Sequence, residues 1–82
     1  PHQSGNVLGQ IRGSDPVLAS EVVLYTAHHD HFGIQEEGKK PGADVIYNGA
    51  RDNASGVAAM LAVARAYMRL PKPPRRTIVF AS

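Results

Sequence analysis

The 82-residue sequence predicts an α/β fold, in which a mixed, mostly parallel sheet is joined by a crossover helix. Two continuous apolar runs, at residues 22–27 and 77–81, are typical of strands buried on both faces. Between them, residues 54–70 repeat apolar side chains at helical spacing. Strand, helix and strand in this order form a β-α-β unit, whose two strands run parallel.

The elements before this unit are less regular. His2 is expected in a polar N-terminal turn, and residues 6–12 contain the β-formers of a first strand. Gly13-Ser-Asp-Pro16 is a turn signal, and residues 17–21 are ambiguous between helix and strand. The first strand could pair with the next one as an antiparallel hairpin across this connection.

Between the second strand and the helix, residues 32–50 have no sustained periodicity. They predict a surface loop with one short extended piece at residues 45–47, and loops of this length are usually functional or disordered. The helix over residues 54–70 ends at a proline-rich segment that starts with Pro71. We expect its apolar stripe to pack in the core, and its members are Val57, Met60, Leu61, Ala64, Tyr67 and Met68.

Composition excludes several kinds of partner. The formal net charge is only +2, and the basic residues are not interleaved with aromatic ones, so we expect no nucleic-acid partner. The chain has no cysteine, which excludes thiolate metal ligands and disulfides. No run reaches the roughly 18 apolar residues of a membrane span. Because the sequence begins at Pro1 and ends within an apolar run, we expect residues 1–82 to be a single incomplete domain.

Two polar stretches are brought to one edge of the sheet by the predicted topology. His28-His-Asp-His31 follows the second strand, and Asp52 stands at the start of the helix, which begins at the same edge. A histidine that binds zinc usually donates its other ring N–H to a carboxylate, and His28 with Asp30 could supply such a pair. Asp52 could add an oxygen ligand that bridges two metal ions.

Other interpretations of these residues remain open. If the segment is extended, His28 and Asp30 share one face while His29 and His31 share the other, which leaves a two-histidine site on the second face possible. The residues could also be satisfied polar groups at a strand end. A His-x-His-x-Asp-His hydrolase signature does not fit, because Gly33 stands where that signature has aspartate.

Together, Ala27-His-His-Asp-His-Phe-Gly33 and Gly49-Ala-Arg-Asp-Asn-Ala-Ser-Gly-Val57 resemble the first two metal-binding motifs of the zinc aminopeptidases of clan MH. This family includes bacterial leucyl aminopeptidase, glutamate carboxypeptidase and the non-catalytic transferrin receptor ectodomain. The resemblance extends over nearly the whole chain and implies part of a zinc-exopeptidase-like domain. It implies that His28 binds one zinc, that Asp30 orients His28, and that Asp52 bridges both zinc ions.

The resemblance also implies roles for neighbouring residues. The peptide bond from Asp52 to Asn53 is often cis in this family. Ser55 and Gly56 match residues that begin the helix, which implies structural roles. His29 and His31 match positions that are not ligands, and His31 matches one that lines the cleft.

The function implied is that of a two-zinc metallopeptidase, most simply an aminopeptidase that hydrolyses the N-terminal bond of a peptide substrate. The family's catalytic glutamate and three further ligands would follow residue 82, so we expect this N-terminal fragment of the catalytic domain to be inactive without the remainder of the domain. Two alternatives are a non-catalytic receptor or scaffold domain and a one-zinc relative of glutaminyl cyclase. The resemblance favours a secreted, periplasmic or membrane-anchored extracytoplasmic protein over a cytoplasmic one.

Overall fold

A computed structural model describes residues 3–82, so the expectation for His2 lies outside the described residues. These described residues form five strands and one α-helix, with a 3-10 turn at Leu18–Ser20 and a π-type turn at Ala50–Ala54. The elements are β1 (Leu8–Ile11), β2 (Val22–Thr26), β3 (Gly33–Ile34), β4 (Ile46–Tyr47), α1 (Ser55–Met68) and β5 (Thr77–Ala81). The predicted α/β class is therefore confirmed.

The main sheet has the strand order β1-β5-β2. β2 and β5 are parallel, with Tyr25 opposite Phe80, as the β-α-β unit requires. β1 is antiparallel to β5, so the predicted hairpin between the first two strands is wrong. The reason is that β5 is the most completely buried strand and takes the central position, while the connection between β1 and β2 is long enough to pass around its end.

Burial differs between the two apolar strands. Ile78 of β5 is only 2% exposed, and Thr77 and Phe80 beside it are also buried. Leu24 of β2, by contrast, is 59% exposed, because β2 is an edge strand with one open face in the described chain. The expectation of burial on both faces holds best for β5 and is wrong for β2.

The connection between β1 and β2 is fixed against β5 by specific polar contacts. The Thr77 hydroxyl accepts a hydrogen bond from the Gly13 N–H at 3.0 Å and donates one to the Ala19 carbonyl at 2.6 Å. The Asp15 carboxylate accepts hydrogen bonds from the backbone N–H groups of Leu18 and Val17. These bonds lower the pKa of Asp15 below its ordinary value, because they favour the ionised carboxylate.

Helix α1 is slightly shorter than predicted and contacts the sheet through aromatic side chains. The Tyr67 ring lies 6.3 Å from Phe80, and its hydroxyl is 3.1 Å from that of Tyr25. This hydrogen bond raises the pKa of Tyr67. Leu61 and Met68 remain exposed, so the predicted apolar stripe is only partly covered within the described chain.

The long loop contains more order than predicted. β4 confirms the expected extended piece, but β3, which pairs with it antiparallel, was not predicted because two residues are too few to produce a periodic pattern. The Gln35 N–H extends the pairing by donating to the Val45 carbonyl. Among residues 3–82, no helix is long and apolar enough to cross a membrane.

Candidate metal centre

The fold brings together the two stretches that the sequence analysis singled out. His28 lies just beyond the carboxyl end of β2, and Asp52 lies in the π-type turn that leads into α1. The His28 Nε2 atom is 3.1 Å from Asp52 Oδ1. The polarity of the β-α-β unit accounts for this contact, because the helix begins at the sheet edge where the parallel strands end.

His28 is oriented through its other ring nitrogen. Nδ1 lies 3.0 Å from the backbone carbonyl oxygen of Asp30 and 3.4 Å from the Asp30 carboxylate. The shorter contact is to the backbone, and the Asp30 side chain is 85% exposed. Residue 30 therefore orients the imidazole mainly through its carbonyl group, whereas the sequence suggested its carboxylate.

Because of this orientation, the contact between His28 and Asp52 requires a positive charge between the two groups. If Nδ1 carries the proton and donates it to the Asp30 carbonyl, Nε2 has a free lone pair. Nε2 and the Asp52 carboxylate are then two acceptors that face each other, and a positive charge between them is needed to make the contact favourable. A proton or a metal cation can supply that charge.

The separation of these two atoms also fits a shared metal ion. Nitrogen and oxygen ligands at ordinary zinc distances and a tetrahedral angle are about 3.4 Å apart, close to the 3.1 Å between His28 Nε2 and Asp52 Oδ1. A complete zinc site needs further ligands. Within the part of the chain that the structure describes, no group of three or more His, Cys, Asp or Glu side chains is placed to hold a metal ion.

Asp52 is held by an unusual backbone segment. The peptide bond between Asp52 and Asn53 is cis, as the family resemblance implies. The turn is closed by a hydrogen bond from the Ala54 N–H to the carbonyl of Gly49, whose φ of 75° suits glycine. Ser55 then donates its hydroxyl to the Arg51 carbonyl at 2.6 Å.

Gly56 leaves room for the Asn53 side chain. A Cβ atom at position 56 would lie 2.6 Å from the Asn53 Nδ2 atom and 2.7 Å from its Cγ atom. Ser55 and Gly56 are the first two residues of α1, as expected for residues that begin the helix. Glycine at position 56 therefore lets Asn53, the residue after Asp52, fold back over the first turn.

The four residues from His28 to His31 do not alternate as an extended strand would. β2 ends at Thr26, and the segment beyond it is irregular. As a result His31 turns to the same carboxylate as His28, with its Nδ1 atom 3.6 Å from Asp52 Oδ2. The expectation that these two rings point in opposite directions is wrong.

His29 takes a different direction. Its Nδ1 atom is 2.9 Å from the Ser82 hydroxyl, and this hydrogen bond links the segments that follow β2 and β5. His29 and His31 thus have different partners, which gives the alternative of a two-histidine site no support. The β-α-β unit places the ends of β2 and β5 near each other, but this contact could not be read from sequence because it depends on how the two side chains are oriented beyond the strands.

Two aromatic residues beside His31 were also missed. The Phe32 ring lies 4.9 Å from the His31 ring, and Tyr47 approaches both rings edge-on at 5.7 and 6.0 Å. Both lie at the neck of the β3–β4 hairpin, where Gly33 pairs with Tyr47, and no sequence pattern indicated them because the hairpin itself was not predicted. An open depression of about 550 Å³ at the ends of β2 and β5 borders His28 and Asn53 and gives the site access to solvent.

Comparison with protein families gives a match over most of the chain. A family profile described as Peptidase family M28 matches residues 6–82, which is nearly the whole chain and includes both stretches of the candidate site. This match confirms the resemblance to the zinc aminopeptidases of clan MH. Neither the curated proteins nor the solved structures include a significant match.

Proposed function

The chain belongs to peptidase family M28, and from this membership we propose that it is part of a two-zinc aminopeptidase that hydrolyses the N-terminal bond of peptides. The match to the family supports a metallopeptidase domain. The number of zinc ions and the preference for a free N-terminus go beyond that match and are part of the proposal.

The proposal assigns roles to three residues. His28 would hold a zinc ion through Nε2, Asp52 would hold the zinc pair as the shared carboxylate, and Asp30 would orient His28. When bound, a zinc pair supplies Lewis acidity, which polarises a peptide carbonyl and makes water nucleophilic near neutral pH. The contribution of this chain is to fix an imidazole and a carboxylate from separate segments at one sheet edge, and to keep the His28 Nδ1 proton on the side of residue 30.

One observation carries the proposal. In a chain of this family, His28 Nε2 and Asp52 Oδ1 are 3.1 Å apart, and the second nitrogen of His28 is already hydrogen-bonded. Such a pair offers two of the ligands of a zinc site with the tautomer set by an outer partner. The partly covered helix and the open face of β2 support the view that residues 1–82 are the N-terminal part of a larger domain.

The remaining ligands and the general base belong, on this proposal, to the rest of that domain. The family resemblance implies a catalytic glutamate soon after the strand that matches β5. Two protein ligands are too few for tight zinc binding, so the 82 residues alone are proposed to be inactive.

The test uses the complete protein with His28→Ala and Asp52→Ala variants. We expect each variant to lose bound zinc, measured by elemental analysis, together with hydrolysis of an aminoacyl-p-nitroanilide. His29→Ala serves as the matched control, because His29 contacts Ser82 and not the carboxylate. Retention of both zinc and activity in the two ligand variants would overturn the proposal.

The same measurements separate the alternatives. Two zinc ions per chain with hydrolysis of free but not N-acetylated substrates is the expected result. A single bound zinc would favour a relative of glutaminyl cyclase. Bound zinc with no hydrolysis of any peptide would favour a receptor or scaffold domain.

A further inference from the structure

The Asp52 carboxylate lies between two imidazole rings. Oδ1 faces His28 Nε2 at 3.1 Å, and Oδ2 faces His31 Nδ1 at 3.6 Å. The second distance is too long for a hydrogen bond but within the range of a direct electrostatic contact. Each oxygen of the proposed bridging ligand therefore has its own imidazole neighbour.

His31 is the most enclosed of these three side chains. It is 21% exposed, compared with 55% for His28 and 63% for Asp52. Enclosure matters because an electrostatic contact weakens as the surrounding solvent screens it. The contact of His31 with Asp52 is therefore better shielded than that of His28.

The ring of His31 is also held in place on several sides. Phe32 packs against it at 4.9 Å, and Tyr47 approaches its edge. The Gly49 backbone is so close that a Cβ atom there would lie 3.2 Å from the His31 Cβ atom. Gly49 is also the residue at which the Asp52 turn begins. His31 thus fills the space between the hairpin neck and that turn.

We propose that His31 is a positioning residue for Asp52. The His31 ring is fixed by the hairpin neck, and it holds Asp52 Oδ2 in the orientation that a bridging carboxylate needs. In the Nδ1–H tautomer, the ring directs its N–H dipole toward Oδ2 across this 3.6 Å gap, which is an electrostatic contact and not a hydrogen bond. The inference depends on the proposed function, because it concerns the carboxylate that would bridge the zinc ions. The role concerns the contact of His31 with this carboxylate, and His31 itself is not proposed as a metal ligand.

The test compares two substitutions that separate polarity from packing. His31→Phe keeps an aromatic ring against Phe32 and Tyr47 but loses the N–H, whereas His31→Asn keeps an N–H near the place of Nδ1 and loses the ring. Zinc affinity of the complete protein is measured by competition with a chelator. Replacing a residue that orients a metal ligand typically lowers metal affinity about 10- to 100-fold. We expect a loss of zinc affinity of about that size for His31→Phe.

His31→Asn should stay within about threefold of the wild type, because the amide N–H can replace that of imidazole. His29→Phe is the control and should leave zinc affinity unchanged. The inference is overturned if His31→Phe binds zinc like the wild type, or if His31→Asn is the weaker of the two variants. If the wild type binds no zinc, or if His28→Ala still binds zinc, the proposed function fails as well. If His28→Ala loses zinc while His31→Phe binds it with unchanged affinity, only the role of His31 is refuted.

Discussion

Replacing Thr77 with valine removes one hydroxyl group and keeps the shape of the side chain. That hydroxyl is one of the groups that link the β1–β2 connection to the central strand. It accepts from the Gly13 N–H at 3.0 Å and donates to the Ala19 carbonyl at 2.6 Å. Thr77 is only 5% exposed, so the methyl group that replaces the hydroxyl meets these two polar groups directly.

The expected loss follows from the two hydrogen bonds. Each contributes about 0.5–1.5 kcal/mol net, which gives about 1–3 kcal/mol for the pair. Gly13 and Ala19 are half-buried, so water can reach part of the freed groups. We therefore expect Thr77→Val to lower the free energy of unfolding by about 1–2 kcal/mol.

Urea unfolding of the complete protein, followed by circular dichroism, measures this change as a lower midpoint at unchanged slope. Thr26→Val is the matched control, because Thr26 is an exposed threonine of the neighbouring strand, where such a change should stay within about 0.5 kcal/mol. Equal stabilities of the two variants would refute the argument that the Thr77 hydroxyl fastens the connection.

Two further predictions follow from the backbone around the site and from the connection. Gly56→Ala should lower both the zinc affinity and the free energy of unfolding, because the added Cβ atom would push Asn53 away from the helix start. Gly9→Ala is the control and should lower neither, because a Cβ atom at position 9 would have no heavy atom within 4 Å apart from those of its chain neighbours. Asp15 has a lowered pKa in the folded state, so its contribution to stability is complete above its ordinary value of 3.8 and is lost as the pH falls through the folded value. Asp15→Asn keeps a hydrogen-bond acceptor but removes the titrating carboxyl group. Its free energy of unfolding, measured by urea titrations at a series of pH values, should therefore fall less steeply below about pH 4 than that of the wild type. An unchanged pH dependence would contradict this.

The β-α-β unit could be predicted from sequence because its signals are strong and local. The apolar runs of β2 and β5 and the stripe of α1 each specify one element, and the parallel crossover then fixes where both candidate ligands lie. For this reason the sequence alone predicts that His28 and Asp52 lie close together. It depends on chain direction more than on side-chain detail.

Other features depend on competition between segments, which sequence patterns do not record. β1 pairs with β5 and not with β2, because the central place goes to the strand that buries most apolar surface. The direction of His31 depends on where β2 stops, and one or two residues decide whether alternation continues. The Asp30 carbonyl, which is closer to His28 than its carboxylate, has no sequence signature at all.

The β3–β4 hairpin separates the two halves of the site along the chain but keeps their connection short in space. Gly33 pairs with Tyr47, so the chain enters and leaves the hairpin at adjacent points. Beyond that neck, two turns, closed by bonds from Lys39 to Glu36 and from Ala43 to Lys40, form an exposed tip. Lengthening such a tip costs only about 0.6 kcal/mol per doubling of its length. Insertions there, including a tag or a small folded module, should therefore be accommodated without shifting His28 from Asp52, and the tip is the natural place to label this chain.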